Sequence, residues 1–207
     1  MKNLTWSGVA ILCGGVLMIV VNVVFSPRLP LDVSGPEMMA SSVFLWRLSL
    51  AALSVLLLLF GLPGLFQYQS DSSGRFGMIA FGLAFVGSAM LFAHEWAQVF
   101  FLHPLALVDP DALQATEDVE GLNFYKLEAL IGVSTFAIGW IAFSTSMLIG
   151  GVFARLGPAL VIAGFFATPL LTVALPSLGI WGQIIGTVVM GAGWILLGRE
   201  LIKGHRD

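Results

Sequence analysis

The chain has 207 residues, of which 58% are hydrophobic and 10% charged, and its mean hydropathy is +0.97. A soluble domain carries about 25% charged residues, so a water-soluble globule is excluded, as are disordered and collagen-like chains. Nine basic and twelve acidic side chains leave a net charge of −3, which offers nucleic acid no basic face. What remains is an all-α, polytopic integral membrane protein.

A helix needs about 20 mostly apolar residues to cross the hydrocarbon core. Six segments meet this requirement, over residues 5–25, 40–62, 75–102, 123–152, 157–175 and 178–199. They predict a single six-helix transmembrane domain over 1–207. The first segment follows Lys2 like a signal peptide. It is too long for a typical signal core, however, and Asn22 to Arg28 offers no small-x-small cleavage site, so it is read as retained. Cys13 is the only cysteine, which excludes an internal disulfide and reads as a packed thiol.

Residues 26–39 read as a Pro-containing external loop, and Gln67 to Gly74 as a polar internal turn. The acidic connection from His103 to Gly121 is the largest, a short external loop or helix at about 104–122. Asp111 and Gln114 fit a capping box and Gly121 a helix stop, which predicts a surface helix near 112–120. Small residues recur at helical spacing: Ala80, Ala84 and Ser88; Gly132, Thr135 and Gly139; Gly182 and Gly186. Such stripes let helix backbones approach closely, within one bundle or across a homo-oligomer interface. Pro169, after Thr168, predicts a bend in the fifth helix.

An even number of spans puts both termini on one side. That side holds Lys2, Arg75, Arg155, Arg199, Lys203 and Arg206, whereas the other has Arg28, Lys126 and the embedded Arg47. The bias makes the termini cytoplasmic. Trp6 and Tyr68 then fall near the inner interface, and Trp46, Trp96, Tyr125 and Trp181 near the outer one.

Ionisable groups inside a membrane are costly, so each is a functional candidate. Arg47 lies about 10 Å into the second helix, and His94, Glu95 and Gln98 lie about 28–35 Å along the third. Asn22 comes late in the first helix, Glu128 opens the fourth and Gln183 opens the sixth. All occupy the outer third, which makes Arg47, His94, Glu95, Gln98, Glu128 and Asn22 the candidate ligand-binding set. A guanidinium stays charged, so Arg47 is expected to pair with Glu95 or Glu128. Such a pair would fix helix register or bind an anionic ligand or lipid headgroup; alternatively, Arg47 snorkels to the interface.

His94 and His103 are nine residues apart and face opposite sides of a straight helix, which disfavours haem. No cofactor is expected, and His94, Glu95 and Glu128 are only a weak candidate metal set. Asp109, Asp111 and Glu120 match three positions of a calcium loop, but Leu113 and Gln114 break the motif. No nucleophile, zincin or phosphate-loop signature is present in the sequence.

The stretch Met39 to Tyr68 contains Ala-Ser-Ser-Val-Phe-Leu-Trp-Arg-Leu and a Leu-rich span ending Gly-Leu-Phe-Gln-Tyr. With Gly14-Gly15 in the first helix, it resembles a group of small uncharacterised bacterial multi-pass membrane proteins. Their second helix carries a Phe/Leu-x-Arg-Leu step, here Phe44 to Leu48. The resemblance covers the first third of the chain. It implies a bacterial inner-membrane protein of about six helices, and no activity. The leading expectation is non-enzymatic binding or sensing of a membrane lipid or small amphiphile, or an accessory role in a larger membrane complex. The alternatives are an enzyme acting on a lipid-soluble substrate, with His94 and Glu95 as acid and base, and a small-solute or ion transporter.

Overall fold

The computed structural model describes residues 2–117 and 124–204, and every regular element among them is helical. Helix α1 (Lys2–Val20) continues through a π-helical turn (Val21–Phe25) and a 3-10 turn (Ser26–Arg28). Short α2 (Gly35–Ala40) follows, then the 56-residue α3 (Ser42–Ala97). A second π turn (Gln98–Leu102) leads into α4 (His103–Val108) and α5 (Pro110–Glu117). Long helices α6 (Phe124–Gly150), α7 (Leu156–Ala174) and α8 (Ile180–Lys203) complete the chain.

Helix α3 is two arms folded against each other. Gly74 has φ +56° and ψ −157°, a conformation that costs glycine little and other residues much. Phe66 and Phe81 stack with centroids 4.5 Å apart, whereas a straight helix would separate them by about 22 Å. The reversal is sharper than the expected loop at Gln67 to Gly74. Helix persists to Ser73, where the Ser70 hydroxyl donates to the Gln67 carbonyl (3.1 Å). Buried Gln69 donates to the Ser146 hydroxyl (3.1 Å), which ties this otherwise largely exposed polar segment to α6.

Five continuous helical stretches among the described residues are long and apolar enough to cross a membrane: Leu4–Arg28, Ser42–Val108, Lys126–Gly150, Leu156–Ala174 and Ile180–Lys203. The second contains both arms of α3. The six legs form a ring in the order α1, first arm (42–73), second arm (75–97), α6, α7, α8, and back to α1. Small residues close most seams. Gly14 abuts Leu58 and the Ser54 carbonyl, and Ser54 donates to the Gly14 carbonyl (2.8 Å). Gly15 meets Gly191, Gly139 meets Ala84, and Gly186 meets Thr168. The stripes at Ala84, Gly139, Gly182 and Gly186 thus serve packing inside one bundle.

The ring has two unlike halves. Toward the end that carries Gly74 and Lys203, called proximal here, Ile11, Leu58, Leu62, Leu65, Phe143, Met147, Leu197 and Leu201 fill the centre. Above them Trp140 and Trp194 meet edge to face at 5.2 Å, joined by Phe136 and Phe165. This aromatic layer separates the filled proximal half from a hollow distal half.

Three distal expectations are corrected. Residues 26–39 contain a helix start as well as a loop: the Ser34 hydroxyl accepts from the Glu37 N–H (3.4 Å), and the Glu37 carboxylate accepts from the Ser34 N–H (3.2 Å), a capping box. The third segment does not stop at His103-Pro104. The chain stays helical to Val108, with His103 Nδ1 bonded to the Met39 carbonyl (2.7 Å). The surface helix starts earlier than expected, because Asp109, not Asp111, accepts from the Ala112 N–H (3.0 Å). The helix stop placed at Gly121, and Glu120 of the calcium-loop comparison, lie outside the described residues.

Candidate functional site

The distal half encloses a cavity of about 660 Å³, walled by all six legs. Its lining changes character with depth. Nearest the distal end stand Asn22, Arg47, Glu95, Thr172 and Gln183; deepest are Met18, Val55, Leu91, Phe136, Phe165 and Met190. Thr168 and Thr187 lie between. The gradient follows from antiparallel legs. The legs that run toward the distal end, α1, the second arm and α7, carry Asn22, Glu95 and Thr172 after their deep apolar lining residues; of those that run away from it, the first arm and α8 carry Arg47 and Gln183 before theirs, and α6 contributes apolar residues alone.

Arg47 is held by a relay from α1. Its Nε donates to the Ser26 hydroxyl (3.0 Å), which donates to Asn22 Oδ1 (3.4 Å), and Asn22 Nδ2 donates to the Met18 carbonyl (2.9 Å). Asn22 and Ser26 are both buried. Asn22 lies in the π turn, an irregularity that recurs at functional sites. The two Nη groups of Arg47 have no protein partner among the described residues. Glu95, on the facing arm, has a buried Oε2 without a hydrogen-bond partner. The two side chains line one cavity and interact electrostatically without closing into an ion pair.

The expected pairing of Arg47 with Glu95 or Glu128 is therefore corrected. Glu128 is taken by His94, whose Nδ1 lies 2.8 Å from Oε2. Successive helical residues point about 100° apart, so while Glu95 lines the cavity, His94 turns to α6. Gln98 opens the second π turn and does not line the cavity. Of the six expected ligand-binding residues, the structure brings Arg47, Glu95 and Asn22 together in the cavity, and it places His94, Glu128 and Gln98 outside. His94, Glu95 and Glu128 do not converge either: among the described residues no group of three His, Cys, Asp or Glu side chains gathers as a metal set.

Sequence reasoning missed Ser26, Thr168, Thr172 and Thr187. Ser26 follows Asn22 by one turn, a spacing that places both on one face and was legible. The threonines were hidden, since the Thr168 hydroxyl donates to Gly164 O (3.0 Å) and that of Thr172 to Thr168 O (2.7 Å), as ordinary helix threonines do.

The cavity opens sideways. Val133 on α6 is 50% exposed and Val173 on α7 is 78% exposed, yet both line it, as does exposed Pro169. At this seam α6 and α7 meet deeper down, through Phe136 and Phe165 (5.6 Å). A smaller apolar hollow of about 250 Å³ lies between the arms of α3, among Ala52, Leu56, Phe92 and Trp96, and no charged side chain lines it among the described residues. Comparison with known protein families, with curated proteins and with solved structures finds no match.

Proposed function

We propose that this chain is a six-span protein of the bacterial cytoplasmic membrane that binds a lipid or small amphiphile in its distal cavity. In this reading the arms of α3 are two spans reversing at Gly74, the termini are cytoplasmic, and the cavity lies in the outer leaflet. Phe60, Ile79, Ile138, Ile149 and Leu170 are exposed around the bundle, which suits a lipid surround better than water. Exposed Trp6 near one end and Trp46, Trp96 and Trp181 near the other suit two interfacial belts.

The observation that carries the function is the depth gradient inside the cavity. Charged and amide groups at one end and an apolar, aromatic floor at the other match a molecule with a polar head and an apolar body. The volume falls in the range of about 300–1,000 Å³ typical of small-molecule sites. The lateral opening between Val133 and Val173 suits entry from the bilayer. Passage across the membrane is less favoured, because the aromatic layer and filled proximal half offer no polar route. Acid–base catalysis by His94 and Glu95 needs both at one pocket, and the cavity reaches only Glu95. A sensing or accessory role would follow from occupancy of the same site.

Native mass spectrometry of the gently extracted protein tests this. Wild type should retain one lipid-sized adduct, and Arg47→Gln should reduce its occupancy at least fivefold. Identical adduct patterns in both would overturn the proposal.

A further inference from the structure

We infer that the cavity selects a zwitterionic headgroup, with Arg47 receiving a phosphate and Glu95 receiving a primary ammonium. This rests on the amphiphile-binding reading above and names the headgroup class. Among the described residues the cavity is lined by one cationic and one anionic side chain, each with unused hydrogen-bonding capacity. Ser26 occupies only Nε of Arg47, leaving the Nη1 and Nη2 fork, a geometry suited to bidentate oxyanion binding. Across the cavity, Glu95 Oε2 is buried with no donor, and leaving such an acceptor unsatisfied is costly.

A purely anionic headgroup would satisfy Arg47 and be repelled by Glu95; a purely cationic one would do the reverse. Direct closure of the pair would satisfy both, but the two, on opposite arms of α3, line the cavity without forming an ion pair. A headgroup carrying both charges meets both needs at once. The ammonium should bear N–H groups, because what Glu95 lacks is a hydrogen-bond donor. A quaternary ammonium has none, and is usually recognised by a cage of aromatic faces. The aromatic rings of this cavity, Phe136 and Phe165, lie at its floor, away from Glu95. Phosphoethanolamine is therefore favoured over phosphocholine and over phosphoglycerol. The apolar rim at Val133 and Val173 points to the membrane as its source.

The test is competitive binding to delipidated full-length protein in mild detergent, read by native mass spectrometry. Equimolar phosphatidylethanolamine, phosphatidylglycerol and phosphatidylcholine with matched chains are offered, each in diacyl and single-chain form. Wild type should retain the ethanolamine headgroup about tenfold over the other two in both forms, a result that needs no variant. Glu95→Gln should bring ethanolamine down to the glycerol level, and Arg47→Gln should lower all phosphate headgroups together. Glycerol binding equal to or above ethanolamine in wild type would overturn the zwitterion assignment while leaving amphiphile binding standing. Selection by chain number regardless of headgroup would do the same. Failure to retain any of the six lipids would overturn both.

Discussion

The indole N–H of Trp140 donates to the Ser88 hydroxyl at 3.1 Å, joining α6 to the second arm of α3 at the aromatic floor of the cavity. Ser88 in turn donates to the Ala84 carbonyl (2.7 Å). Both side chains are fully buried, so the relay cannot be replaced by water. Ser88→Ala keeps the backbone contact but strands the indole. The expected loss is about 1–2 kcal/mol, read as a lower melting temperature in detergent. An unchanged melting curve would show that the bond contributes nothing there.

Gly139 gives a sharper steric test. A Cβ added there would stand 2.5 Å from the Ala84 backbone nitrogen, whereas one at Gly82 would meet nothing within 4 Å. Gly139→Ala should therefore force α6 away from the second arm at a cost of about 1–3 kcal/mol, typical of overpacking. Gly82→Ala should be neutral or slightly stabilising, since alanine is the better helix former. Equal melting temperatures for the two variants would contradict the packing described.

In the six-span reading proposed above, the reversal at Gly74 sets the membrane topology. In a Cys13→Ser background, Asp71→Cys should react with a membrane-impermeant maleimide only from the cytoplasmic face. Asp111→Cys should react only from the opposite face. Labelling of both from the same side would refute two antiparallel spans within α3.

Relative height along the bundle was legible in the sequence, and azimuth was not. Counting residues from each span boundary put Asn22, Arg47, Glu95, Gln183, His94 and Glu128 at one level, because helical rise is nearly constant. Which neighbour each faces depends on helix rotation, and that is fixed by contacts spread along the whole length, such as Gly139 on Ala84 and Gly15 on Gly191. Hence His94, not Arg47, claims Glu128. The π turns at Val21–Phe25 and Gln98–Leu102 shift the phase further, aiming Asn22 inward and carrying Gln98 off the site. The turn at Gly74 was foreseen too broadly, since Gln69 looks like a loop residue until its partner Ser146, remote in sequence, is known.

The His94–Glu128 pair lies outside the cavity, with the Glu128 side chain 43% exposed. Such a pair with one half-exposed partner contributes little, about 0.2–1 kcal/mol. Glu128→Gln should lower the melting temperature by no more than a few degrees and leave lipid retention unchanged. A severalfold loss of retained lipid would move this pair into the site.

Filling the cavity tests amphiphile binding most directly. Ala137 lines the hollow beside Phe136, so Ala137→Phe places a ring where the apolar body of a ligand would lie, without touching Arg47 or Glu95 chemically. Native mass spectrometry should show the retained lipid reduced at least fivefold, with the melting temperature preserved. Undiminished lipid on a well-folded Ala137→Phe protein would mean that the bound molecule sits elsewhere on the bundle.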